Sequence, residues 1–265
     1  MRSFHRPSFA GLVLLLAPAT ASGQAGTLSC SDLDRRRDDG VRVCEIRETT
    51  VAARARIAVD AEPNGGIRVR AWDGDGVRVR ARIETRARSE GRAESLADDV
   101  EIETDGTIRA SGPRTERRES WTVSFEVFVP RETNLDLRSL NGGIQITGVH
   151  GSIEFDAQNG GVRLDGVGGD VRGRTSNGSL QVDLSGSAWE GEGLDVRTTN
   201  GSVQVGIPDG YNARLEAGTV NGGLRVDFPV TVQGRLGKSL NFDLGRGGKT
   251  LRVRTTNGSV RIERS

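Results

Sequence analysis

The sequence predicts an all-β fold of stacked coils, a parallel β-solenoid with about 18–21 residues per coil, preceded by a less regular β-rich part with one short helix. Three observations carry this expectation. Asn-Gly recurs at Asn141, Asn159, Asn177, Asn200, Asn221 and Asn257, at intervals of 18, 18, 23, 21 and 36 residues. Turns halfway between the first of these, at His150-Gly151 and Gly168-Gly169, divide the repeat into units of about nine residues. Within each unit apolar and polar residues alternate, as in Ile144/Ile146, Ile153/Phe155, Val162/Leu164 and Leu180/Val182 with Gln145, Glu154, Arg163 and Gln181 between them. Period-two alternation gives a strand with one dry and one wet face. An antiparallel meander would also segregate the faces, but it needs a second layer over its apolar side. A solenoid covers that side by stacking, and the recurrence of Arg174-Thr-Ser-Asn-Gly, Arg197-Thr-Thr-Asn-Gly and Arg254-Thr-Thr-Asn-Gly suggests stacked identical corners.

From the N-terminus, Arg2, His5 and Arg6 precede an apolar run, Phe9 to Ala17, and then small residues in PATASGQAG. This pattern predicts a secretory signal peptide over 1–25, cleaved between Ala21 and Gly26, and an exported protein, periplasmic or extracellular. The run is well short of the roughly 20 residues needed to span a bilayer, and no transmembrane span is expected in the mature chain. Cys30 and Cys44, the only cysteines, are expected to form a disulfide within the segment 26–48, because export favours oxidation. Residues 49–130 read as an irregular β-rich part of the solenoid. Its strands are Val51 to Val59, Ile67 to Ala71, Val77 to Ile83, Val100 to Ile102 and Val123 to Val129, with the helix over Ser89 to Asp99. Pro130 marks the boundary to the regular repeats, 131–265. There the pairs Asn141-Gly142, Asn159-Gly160, Asn177-Gly178, Asn200-Gly201, Asn221-Gly222 and Asn257-Gly258 have a structural role, as turns that tolerate positive φ. The longer intervals fit an insertion at one corner, Ser185–Gly193, which carries Trp189.

Thirty-seven basic residues against 36 acidic ones argue against a nucleic-acid partner, which would favour a distinctly basic chain. The balance conceals a local excess: residues 47–88 hold ten Arg and six acids. Arg78, Arg80 and Arg82 share one strand face there and are candidate contacts for an anionic ligand, against the simpler reading of a solvated face balanced by carboxylates. Trp189 is a candidate contact for a sugar ring, against a lid over a coil end. His150 is the only histidine beyond the signal region, and it occupies a repeated turn slot. A nucleophile–histidine–acid site is therefore not expected. No cofactor and no metal are expected, since the two cysteines and one histidine do not make a zinc site. Gly166-Val-Gly-Gly-Asp170 is the nearest approach to a calcium nonapeptide.

The strings PNGGIRVRAWDGDGVRVRA (63–81), ADDVEIET (97–104) and FEVFVPRETNLDLRSLNGGIQI (125–146), with TSNGSLQV, TTNGSVQV and TTNGSVRI, resemble a bacterial domain-of-unknown-function family labelled "putative adhesin". The resemblance spans roughly 50–265. It implies a right-handed β-helix, exported and non-enzymatic, and it brings no functional residues. The expected role is adhesin-like binding or a structural part in the cell envelope. The ligand is unknown, with an envelope glycan or another envelope protein as the candidate partner. Two alternatives remain open: a polysaccharide-active β-helix enzyme, and a periplasmic protein-interaction domain linked to envelope signalling.

Overall fold

A computed structural model describes residues 28–31, 36–37, 40–227 and 237–265. The expected signal peptide and Phe228 lie outside the described residues. The first elements are β1 (Arg36–Arg37), β2 (Gly40–Ala52), β3 (Arg56–Asp60), β4 (Ile67–Trp72), β5 (Gly76–Ala87), helix α1 (Glu90–Asp98), β6 (Glu101–Glu103), β7 (Thr107–Ser111) and β8 (Ser120–Pro130). There follow β9 (Asn134–Ser139), β10 (Ile144–Thr147), β11 (His150–Ala157), β12 (Val162–Asp165), β13 (Gly168–Asn177), β14 (Leu180–Asp183), β15 (Gly193–Asn200) and β16 (Val203–Ile207). The chain closes with β17 (Ala213–Asn221), β18 (Leu224–Val226), β19 (Ser239–Leu244), β20 (Thr250–Asn257) and β21 (Val260–Arg264).

Among the described residues these strands form two sheets. The first runs β1-β2-β5-β8-β4-β10-β12-β14-β16-β21-β18, and the second runs β19-β17-β20-β15-β13-β11-β9-β3-β7-β6. From β9 to β18 the chain alternates between them, so each successive pair of strands makes one coil. Coils stack in parallel register, Ile144 on Val162, Leu180 and Val203 in the first sheet, Leu135 on Ile153, Val171 and Leu194 in the second. Alternation puts these residues inside, where they are almost fully buried. The interior is aliphatic because facing rungs leave little room for rings. Phe125 and Phe155 are exceptions, and the Phe155 ring takes the space where a Cβ on Gly173, its neighbour in register, would stand.

The stacking order departs from chain order at both ends. β3 and β4 already form a coil that pairs with β9 and β10, and β7 and β8 form a further coil outside it. Stacking therefore runs without a break across Pro130. The run Val51 to Val59 is two strands in different sheets, β2 and β3, rather than one. Antiparallel β2 and β5 extend the first sheet beyond β8, and α1 packs Ala93 and Leu96 against Ala87 and Val43. At the other end the last coil, β20 and β21, lies between β15/β16 and β17/β18. The 36-residue interval is thus not a doubled repeat, because Asn257 stacks on Asn200 and Asn221 stacks on Asn257. Leu240 and Phe242 belong to β19, which runs antiparallel to β17 and covers its edge.

The Asn-Gly corners differ from expectation in mechanism. None of their residues has positive φ; Arg118 (71°) is the non-glycine that does among the described residues. Their glycines are needed for close approach: a Cβ on Gly178 would fall on the carbonyl oxygen of Gly160, and one on Gly201 on that of Gly178. The asparagines form a side-chain ladder. Nδ2 of Asn141, Asn159, Asn177, Asn200, Asn257 and Asn221 donates to Oδ1 of Asn64, Asn141, Asn159, Asn177, Asn200 and Asn257 in turn, over 2.8–3.1 Å. Beside them the buried hydroxyls of Thr175, Thr198, Thr255 and Thr219 donate to the glycine carbonyl of the preceding rung at 2.7–2.8 Å, leaving no buried hydroxyl unpaired there.

Candidate ligand-binding surface

Because side chains alternate across a strand, the outward residues of the second sheet line up in columns along the stack. One column alternates in sign through Glu154, Arg172, Asp195, Arg252 and Glu216. Its members are tied together: Arg252 donates to Glu216 at 2.6 Å and to Asp195 at 3.2 Å. These bonds raise the Arg252 guanidinium above its ordinary value, the Glu216 bond most. The next column towards the Asn corners is Arg138, Asp156, Arg174, Arg197 and Arg254. Arg174 donates to Asp156 at 2.6 Å, and that hydrogen bond raises it in the same sense. The outermost column carries Ser176, Thr199 and Thr256.

A groove of roughly 910 Å³ lies over these columns, with Asp136, Glu154, Asp156, Asp195, Arg172 and Arg197 among its walls. Its sheet acids each stand beside an arginine: Asp136 with Arg138, Glu154 with Arg56, Asp156 with Arg174, and Asp195 with Arg252 and Arg254. A second groove of about 540 Å³ shares Arg197 and Thr199 with the first and continues over Arg254, Thr256, Lys238 and Ser239. His150 sits at another corner, with Nδ1 3.3 Å from Glu190 and Nε2 3.3 Å from Arg131. Among the described residues no group of three or more His, Cys, Asp or Glu is placed to hold a metal ion, and no helix is long and apolar enough to cross a membrane.

The residues singled out from sequence fall elsewhere. Cys30 and Cys44 are joined by a disulfide. Trp189 is 7% exposed and donates Nε1–H to the Gly169 carbonyl at 3.0 Å. It closes the corner insertion as a lid and offers no ring face to a ligand. Arg78, Arg80 and Arg82 do share a face of β5, in the first sheet, but each is engaged. Arg78 lies over the rings of Trp72 and Phe128, 4.7 and 4.5 Å from their centroids. Arg80 holds Glu48 at 3.1 Å and the fully buried Glu126 at 2.7 Å, and Arg82 holds Glu84 at 3.1 Å. These three arginines are therefore engaged within the first sheet. Sequence reasoning passed over the arginines of the Arg-Thr-Thr/Ser-Asn-Gly repeats. Their identical place in three repeats is the signal, though by itself it marks only a corner.

Three solved structures align over most of the chain with low identity. A "putative cell adhesion protein" from Clostridium sporogenes covers 83% of this chain and 100% of its own, at 11% identity and a TM-score of 0.42. A "putative adhesin" from Bacteroides fragilis covers 84% and 97%, at 9% identity and 0.38, and another from Parabacteroides distasonis covers 83% and 97%, at 12% and 0.36. No curated protein matches in sequence. The family model described as Toastrack DUF4097 matches residues 131–263, half of the chain, from the approach to β9 through the inserted last coil. The chain accordingly belongs to the toastrack DUF4097 family.

Proposed function

We propose that this protein is an exported, non-catalytic binding protein of the cell envelope, whose platform is the outward face of the second sheet. The observation that carries this reading is the ordered column array beneath two continuous grooves, with acids held by arginines rather than converging on a point. Such an array suits many modest contacts along an extended ligand, with affinity gained by avidity. Export is supported by the N-terminal sequence pattern and by a disulfide, which persists in oxidising compartments. We also propose a right-handed winding, because parallel strands joined by a crossover within one sheet are right-handed in nearly all folds. Fractionating cells, sequencing the mature N-terminus and capturing envelope components with the purified chain tests the reading. Protein recovered in the cytoplasm with its N-terminus intact, or a captured polymer that is shortened on incubation, would overturn it.

A further inference from the structure

We propose that Arg174, Arg197 and Arg254 form the carboxylate-binding row of a site for an acidic polysaccharide lying along the stack, a proposal that rests on the platform reading above. The three guanidiniums occupy one position on adjacent strands, in the order Arg174, Arg197, Arg254. Neighbouring strands are about 4.8 Å apart, and like charges directly opposite one another are destabilising. Beside these three rungs the adjacent column alternates in sign, through Arg172, Asp195 and Arg252; the arginine column does not. Asp156 holds Arg174 at 2.6 Å and Asp195 reaches Arg254 at 3.2 Å. Arg197, exposed between them, makes no ion pair and no side-chain hydrogen bond with any described residue. A guanidinium carries five donors in a planar fork that matches a carboxylate. With like charges on both sides and its donors unused, Arg197 is where an external anion lowers the energy most.

The surroundings select the kind of anion carrier. The second groove is lined by Arg197, Arg254 and Lys238, and no carboxylate lines it among the described residues. The Lys238 ammonium donates to the Val220 carbonyl at 2.6 Å and makes no ion pair with any described residue. Along the corner side of the row stand the hydroxyls of Ser176, Thr199 and Thr256 and then the asparagine ladder, which offer donors and acceptors to sugar hydroxyls at every rung. Among the described residues stacking surfaces for bases are lacking: the one aromatic residue on either groove, Phe155, is buried. Val220 is the single large apolar side chain exposed among the described residues, too little for a membrane or a protein anchor.

The test is binding of polygalacturonate, neutral dextran and polyphosphate to the full mature chain, by titration calorimetry at two salt concentrations. Polygalacturonate is expected to bind, more weakly at high salt, and dextran is expected not to bind. Arg197→Gln should weaken the affinity about tenfold without lowering the melting temperature, since it removes no internal contact. Arg174→Gln/Arg197→Gln/Arg254→Gln should abolish binding, and Arg163→Gln/Arg261→Gln on the first sheet should not change it. Equal binding by wild type and the Arg197→Gln variant, or polyphosphate bound in preference to polygalacturonate, overturns the proposal. An envelope glycan captured equally by wild type and the triple variant overturns the arginine row and leaves the platform reading standing. A wild-type chain that captures nothing from the envelope removes both.

Discussion

The difference between a hydrogen and a methyl group governs whether the corners can stack. A Cβ on Gly178 would meet the backbone of Gly160 and Gly161 below it, and backbone cannot rotate aside as a side chain can. Gly178→Ala should therefore destabilise the protein by about 1–3 kcal/mol, read as a lower denaturant midpoint. Gly91 in α1 has nothing within 4 Å of such a Cβ, and Gly91→Ala should stabilise by about 0.4–1 kcal/mol. A Gly178→Ala protein with wild-type stability would refute the close-approach account. The single tyrosine gives a second test at this scale. Burial, and then the charge of Glu190, push the Tyr211 phenol up to about 12. Its folded pKa lies above the unfolded value near 10, so the folded state holds the proton more tightly. That contribution to stability is complete below about pH 10 and is lost as pH rises towards 12. Phenolate absorbance of the native protein should rise with a midpoint near 12, and a midpoint near 10 would contradict it. The corners were legible in sequence as positions, since Asn-Gly repeats, but not in mechanism. Nothing in the dipeptide distinguishes a glycine chosen for positive φ from one chosen for proximity.

The N-terminal segment acts on the first sheet as a strap. Leu28 is 7% exposed, its N–H donates to Glu126 at 3.2 Å, and its carbonyl accepts from Arg80 at 3.2 Å. Glu126 is a fully buried carboxylate in the middle of β8; Arg80 and the Leu28 amide both donate to its Oε2, and the Arg70 guanidinium lies 3.7 Å from Oε1. The Cys30–Cys44 bond fixes the strap to β2, with a sequence separation of 14. Replacing both cysteines by serine should lower stability by about 3 kcal/mol and speed hydrogen exchange at the Leu28 amide, while amides of β11 to β15 stay protected. Unchanged exchange at Leu28 would mean that the strap holds without its clip. The disulfide could be read from the cysteine count together with the export signal. The buried Glu126 could not, because its strand, FEVFVP, shows an acid at a position that alternation assigns to solvent, and the groups over it, Leu28, Arg70 and Arg80, come from distant segments. In the same way α1 was visible from its composition, whereas the break between β2 and β3 was not, since Val51 to Val59 keeps an unbroken alternation through Ala53 and Ala55.

The whole molecule is a stack whose spatial order is not its chain order. Local pattern sets each coil, but which coil lies beside which depends on long-range pairing, and the near-identical Arg-Thr-Thr-Asn-Gly corners at 197 and 254 are compatible with several orders. Their similarity is intelligible afterwards: β15 and β20 are direct neighbours and share every rung from Leu194 on Leu251 to Asn200 on Asn257. Deleting residues 249–265 therefore removes an interior layer. Leu251, Val253, Val260 and Ile262 are all buried, and losing four such side chains at about 1.5–3 kcal/mol each approaches the stability of an entire domain. The truncated chain should lose β17 to β19 to limited proteolysis, whereas trimming an end coil would leave the neighbouring rungs resistant. Resistance of residues 213–227 in the truncated protein would refute the inserted order. The same insertion sets a constraint in time. A chain that emerges N-terminus first can zip its coils as far as β16, but β17 and β18 then have no surface to settle on until the final residues arrive and slide into the gap. Completion is withheld until residues 249–265 are free, so a chain that has emerged only as far as β19 keeps residues 213–227 open, and docking of β20 and β21 is itself the closing step.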